Sequence, residues 1–173
     1  MGLRETYAAE IDALLARYAQ PRSAVLALLY LAQDEYGHLT DAAVREVAEL
    51  IGVPPTDVFE VAGFYSLLYR QPVGRWVLQV CDDVPCCFCG AEELISALQD
   101  TLGIRVDQTT ADGMFTLQRV KCLADCNRAP LLQANLEYYG NLEPAKIGEL
   151  LDTLRARAAS GEALSVSGRF AGQ

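Results

Sequence analysis

Six cysteines stand in two groups along this 173-residue chain. "VCDDVPCCFCGAEEL" (80–94) holds Cys81, Cys86, Cys87 and Cys89, and "VKCLADCNRAP" (120–130) holds Cys122 and Cys126. Thiolates are soft ligands, so such groups point to zinc, to an iron–sulfur cluster, or to dithiol redox chemistry. Taking Cys81 with Cys86 and Cys122 with Cys126 gives a Cys-x4-Cys pair and a Cys-x3-Cys pair. Structural zinc loops mostly use a tighter Cys-x2-Cys turn, because one ion must draw both sulfurs together. Wider loops suit a [2Fe–2S] rhomb, whose two irons each take two protein ligands.

Two other partitions compete for the same residues. Cys81, Cys86 and Cys89 have the plant-type ferredoxin spacing, with Cys122 or Cys126 as a distant fourth ligand. Against it, a helix is expected to start just after Cys89, where the plant-type run is extended. Cys86 and Cys89 at a helix start also match a thiol–disulfide oxidoreductase, with Ala129-Pro130 placed as such folds place a proline. That reading leaves Cys81 and the second pair unexplained. In the first partition Cys87 and Cys89 read as small, half-buried residues beside the site.

The elements that must position these cysteines follow from periodicity. Residues 1–72 read as a small helical bundle. Tyr7, Ile11, Leu14, Leu15 and Tyr18 recur at helical spacing up to Pro21, and "RSAVLALLYLAQDEYG" is apolar on most faces. Thr40 is placed to cap "DAAVREVAELIG", and Pro54 and Pro55 open "TDVFEVAGFYSLLY". His38, the one histidine, falls between two helices and reads as a loop or capping residue rather than a ligand. Phe64, Tyr65, Leu67 and Leu68 read as an apolar surface or as core.

After "RQPVG" the period changes. "RWVLQV" reads as a strand, "GAEELISALQDTLG" as a helix, and "MFTLQRVK" as a strand that delivers Cys122. "PLLQAN" and "LEYYG" read as a hairpin, and "EPAKIGELLDTLRARAA" as a last amphipathic helix. Residues 73–159 thus form an α+β domain of thioredoxin-like type in the order β-α-β-β-β-α, and a loosely ordered tail is expected over 160–173. If the strands before the two cysteine groups are neighbours, both loops meet at one sheet edge.

The net charge of −9 argues against nucleic acid and against direct membrane binding. No apolar run reaches spanning length, and the acidic opening does not read as a secretory signal, so a cytosolic setting is expected. There clustered cysteines bind metal more often than they form disulfides. No Gly-rich phosphate loop follows a strand, which argues against NAD or flavin binding within this chain. A single histidine fits neither His-based catalysis nor Rieske ligation.

Together, "GVPPTDVFEVAGFYSLL", "LQVCDDVPCCFCGAEEL" and "VKCLADCNRAP" resemble the E subunit of NADH:quinone oxidoreductase (respiratory complex I), a thioredoxin-like [2Fe–2S] ferredoxin family. The resemblance implies one [2Fe–2S] cluster on Cys81, Cys86, Cys122 and Cys126, two ligands from each loop. It implies electron exchange with a flavoprotein subunit that carries FMN and oxidises NADH, among other peripheral-arm subunits. Such a chain would lie on the cytoplasmic side of the inner membrane, held there through the complex and without inserting. The alternatives are the equivalent subunit of a soluble NAD-linked hydrogenase or formate dehydrogenase, and a zinc-stabilised interaction module. Two departures stand out. Ala124 replaces a common glycine, so the loop is expected to do without a positive φ there, and the pattern assigns nothing to Cys87 and Cys89.

Overall fold

Thr40 is extended and accepts a hydrogen bond from the Ala43 amide at 3.1 Å, and so fixes where one helix begins. Gly52, in the left-handed region, ends that helix, α4 (Asp41–Ile51), whose Val44, Val47, Ala48 and Ile51 face inward. The structure, a computed structural model, describes residues 2–162 and Ser165. The chain divides into two compact units, Met1–Pro72 and Val73–Gln173.

The first unit packs α4 with α1 (Leu3–Thr6), α2 (Ala8–Leu15), α3 (Val25–Tyr36) and α5 (Pro55–Phe64). Its core centres on Ile11, Leu28, Leu29, Val44, Val47 and Val58. Helix α2 stops at Leu15 instead of reaching Tyr18, because Pro21 holds Gln20 extended; Pro21 then opens a 3-10 turn to Ala24. The segment after α5 folds back through Gln33, which is fully buried and fully used. Its amide donates to the Leu67 carbonyl at 2.9 Å and its oxygen accepts from the Tyr69 amide at 2.6 Å. Leu68 is therefore core, Leu67 is half-buried, and Phe64 and Tyr65 are the exposed members of the group. His38 lies half-buried in the α3–α4 connection.

The second unit is a five-stranded mixed sheet in the order β2-β3-β1-β4-β5. Its strands are β1 (Trp76–Cys81), β2 (Gln108–Thr109), β3 (Phe115–Val120), β4 (Leu132–Ala134) and β5 (Glu137–Tyr139). A short helix, α6 (Val84–Phe88), follows β1. Periodicity alone misses both α6 and β2, which is two residues long. Helices α7 (Ala91–Leu102) and α8 (Ile147–Ala159) pack Leu94, Leu98, Ile147, Leu151 and Leu154 against Trp76, Leu78, Val80, Phe115 and Leu117. Strand β1 is buried along its whole length, as a central strand must be, and its Gln79 pairs in register with Gln118 and Gln133. The tail expected from residue 160 lies outside the described residues from 163 on, Ser165 excepted.

Candidate metal centre

Strands β1 and β3 are parallel neighbours, with Cys81 opposite Val120. Cys81 is the last residue of β1, and Cys122 follows β3 by two residues, so both loops leave the same end of the sheet. The Cys81 amide donates to the Leu131 carbonyl at 3.2 Å, which ties the first loop to the chain that enters β4. Leu131 follows the cis Ala129-Pro130 bond.

Cys86 arrives by a different device. Asp83 caps α6 by accepting from the Val84 amide at 2.9 Å, and Pro85 sits in the first turn, where its missing N–H costs nothing. That short helix turns Cys86 inward beside Cys81, Ala91 and Leu131. Gly90, at φ 96°, then separates α6 from α7 with a backbone turn that an L side chain would strain.

The second loop is braced from outside. The Tyr138 hydroxyl donates to the Leu123 carbonyl at 3.1 Å, and the Asn141 amide donates to the Arg128 carbonyl at 2.6 Å. Gly140 permits the close approach: a Cβ there would stand 2.5 Å from the Arg128 Cβ. Ala124 has φ 62°, so the loop keeps the left-handed turn without the glycine, contrary to the expectation from sequence. In that conformation its amide donates to Cys122 Sγ at 3.4 Å.

The four thiols meet as two couples. Burial, then the adjacent Cys81, push the Cys86 thiol up to about 12, and the Cys126 thiol contributes from further away. Cys126 is also raised, by desolvation and then by Cys122, with Cys81 and Asp83 adding to it. Cys86 and Cys126 thus each stand against a neighbouring thiol that disfavours their charged form, a setting that a cation bound among the sulfurs would relieve. Cys81 and Cys86 are buried, whereas Cys122 and Cys126 are exposed, so the site has an inner and an outer side. Among the described residues no three His, Cys, Asp or Glu side chains are set to hold a single metal ion.

Cys87 and Cys89 are exposed rather than half-buried. The Cys87 thiol donates to the Asp82 carbonyl at 3.2 Å, and the Cys89 amide ends α6 on the Cys86 carbonyl at 3.0 Å. Cys86 and Cys87 lie in a helix, unlike the extended run of a plant-type loop. Around the ligand loops the charges pair off. Asp82 accepts from Lys121 at 2.8 Å and lies 3.9 Å from Arg119, which also pairs with Glu92. Lys121 is held above its ordinary value by that hydrogen bond to Asp82. Asp125 pairs with Arg128 in ion-pair rather than hydrogen-bond geometry. Residue spacing carries no sign of the pairs made by Asp82 and Glu92, because their hydrogen-bonded partners lie 39 and 27 residues away in sequence.

Comparison with known proteins points the same way. The profile of the thioredoxin-like [2Fe–2S] ferredoxin family matches residues 11–155. The second E subunit of the NADH-quinone oxidoreductase of Rhizobium meliloti is 47% identical over 85% of this chain and 88% of its own length. The E subunit of the Pseudomonas aeruginosa NADH-quinone oxidoreductase is 39% identical over 87% of this chain and 90% of its own. A crystal structure of an air-oxidized NAD+-reducing [NiFe]-hydrogenase superposes with a TM-score of 0.65 over 75% of this chain, at 24% identity. This chain covers only 23% of that hydrogenase chain, so the likeness is one of fold.

Proposed function

The chain belongs to the thioredoxin-like [2Fe–2S] ferredoxin family, and from that premise we propose that it is the electron-transferring E subunit of an NADH:quinone oxidoreductase. Its cofactor is the family's [2Fe–2S] cluster. Cys81 and Cys86 would hold the inner iron, and Cys122 and Cys126 the outer one. The observation that carries this reading is the convergence of two thiol couples from loops that leave one end of the parallel β1–β3 pair. When bound, such a cluster takes up and returns one electron without making or breaking a substrate bond.

The residues of this chain serve that exchange by holding geometry and charge fixed. Burial of Cys81 and Cys86 keeps water from the inner side. The Ala124 amide, donating to Cys122 Sγ, stabilises added negative charge on the outer side. Ion pairs of Asp82 and Asp125 with Lys121 and Arg128 limit how strongly the local carboxylates oppose an incoming electron. The electron's source is an FMN- and NADH-binding flavoprotein subunit, and through such a complex the chain would sit at the cytoplasmic face of the inner membrane. Among the described residues no helix is long and apolar enough to cross a membrane.

Anaerobic purification with iron, sulfide and zinc analysis tests this reading. The expected product carries iron and sulfide in equal amounts, yields a one-electron EPR signal after dithionite, and stays oxidised with NADH alone. Zinc in place of iron, or NADH:ferricyanide turnover by the isolated chain, would overturn it. Association with a membrane-bound complex, rather than a soluble NAD-linked one, separates the quinone oxidoreductase from the hydrogenase alternative. The 47% identity to a quinone oxidoreductase subunit favours the former.

A further inference from the structure

Tyr138 lies on β5, an edge strand of the sheet, in register with Gln133 of β4. It is 42% exposed, so burial does not oblige its hydroxyl to find a partner in the protein. The hydroxyl nonetheless donates at 3.1 Å to the Leu123 carbonyl, between the two cysteines of the second loop. That carbonyl shares one peptide group with the Ala124 N–H, which donates to Cys122 Sγ at 3.4 Å. The peptide is trans, so its C=O and N–H point in opposite directions. Phenol, amide and sulfur thus stand in line, with the amide accepting on one side and donating on the other. The far end of the loop is held separately. There the Asn141 amide donates to the Arg128 carbonyl at 2.6 Å, and the Leu142 amide to the Pro130 carbonyl at 3.1 Å.

We propose that Tyr138 is a positioning residue for electron transfer, whose hydroxyl acts through the Leu123–Ala124 peptide on Cys122 and raises the electron affinity of the cluster held there. The inference rests on the function proposed above, with Cys122 as a ligand. An O–H that donates to an amide oxygen draws electron density from the same amide's N–H, which makes that N–H a stronger donor. A stronger N–H···S bond favours the sulfur most when it carries more negative charge, and so favours the reduced form. Loss of the phenol hydroxyl must therefore lower the midpoint potential. Bracing of the loop by the same hydroxyl predicts easier loss of iron instead, with no fixed direction for the potential. The sign of the shift separates the two roles.

The test is redox titration of the EPR signal in the full-length, cluster-loaded chain. Tyr138→Phe should keep its iron and lower the ratio of reduced to oxidised cluster about twofold at a fixed potential. That is the effect of strengthening one charge-assisted bond by about 10–30%. It corresponds to a fall of about 18 mV in the midpoint for one electron. Tyr139→Phe removes a hydroxyl from the same strand that bonds Glu137 and Arg157, not the ligand loop, and should titrate as the wild type does. A fluorinated tyrosine at position 138, at a pH where the phenol keeps its proton, retains the shape and donates more strongly. It should raise the potential, and it decides the question if Tyr138→Phe loses iron. An unchanged or raised potential in iron-loaded Tyr138→Phe, or no rise in the fluorinated chain, would overturn the role of Tyr138 alone. A wild-type chain that binds no iron would contradict the proposed function and the inference with it.

Discussion

The Ala124 amide donates to Cys122 Sγ at 3.4 Å from a residue whose φ is 62°. The Leu123–Ala124 peptide aims that N–H back at Cys122, and the positive φ of Ala124 turns the chain onward toward Asp125 and Cys126. Alanine occupies that region at a cost of about 1–2 kcal/mol.

Ala124→Gly should therefore stabilise the protein. Glycine removes the Cβ penalty, and its greater freedom in the unfolded chain returns about half of that gain. The expected rise in Tm is about 1–4 °C for a domain of this size. The midpoint potential should hold steady, because glycine keeps the donating amide. A fall in Tm, or a clear shift in potential, would show that the alanine methyl has a packing role.

Asp125 immediately precedes Cys126, and its side chain is 18% exposed. A unit charge at about 8 Å, at an effective dielectric of about 20, is worth about 2 kcal/mol, before the opposing effect of Arg128. Asp125→Asn removes the anion and leaves Arg128 unpaired, and both changes favour the reduced form. The midpoint potential should rise by tens of millivolts, measured by redox titration of the EPR signal. An unchanged or lower potential would contradict the assignment of this loop as a ligand loop.

Arg157 links the end of α8 to the sheet: it pairs with Glu137 at 2.5 Å, donates to the Tyr139 hydroxyl at 2.9 Å, and stacks over Trp76 at 5.0 Å. That pairing holds the Glu137 carboxyl below its ordinary value of 4.5. A depressed folded-state value contributes stability that is fully present above the unfolded value. It is lost as the pH falls through the folded one. Glu137→Gln should thus lower stability at neutral pH, by less than about 1 kcal/mol because the pair is partly exposed. The gap in Tm between wild type and variant should close as the pH falls below the ordinary carboxylate range. A gap that is constant from neutral pH to acid would assign the effect to shape instead of charge. Asp112, held low by Thr110, Arg155 and the Met114 amide, should add acid sensitivity of the same sign.

The meeting of the two cysteine loops is legible in the sequence because "WVLQV" and "FTLQRV" are rich in apolar and β-branched residues and each runs into a cysteine. Their adjacency is the one assumption needed. Helix α6 escapes periodicity: five residues hold too few apolar positions to set a phase. Its start is nonetheless written in Asp83 followed by Pro85, a cap and a first-turn proline. Exposure of Cys87 and Cys89 follows from that helix, which turns Cys86 inward and its neighbours out. The positive φ at Ala124 eludes the sequence for a different reason. Backbone preference favours glycine there, but the bond to Cys122 and the brace from Tyr138 hold the turn whatever residue occupies it. The place of Leu68 in the core depends on Gln33, a long-range clamp that no local pattern reveals.

Iron content across single cysteine variants tests the ligand assignment most directly. Cys126→Ser should lose most of its iron and its visible absorption, since a serine oxygen is a hard ligand and a poor substitute for thiolate. Cys89→Ser should keep both. Cys86→Ser is a weaker probe, because the adjacent Cys87 could supply a substitute thiolate. Loss of iron in Cys89→Ser with retention in Cys126→Ser would contradict the account.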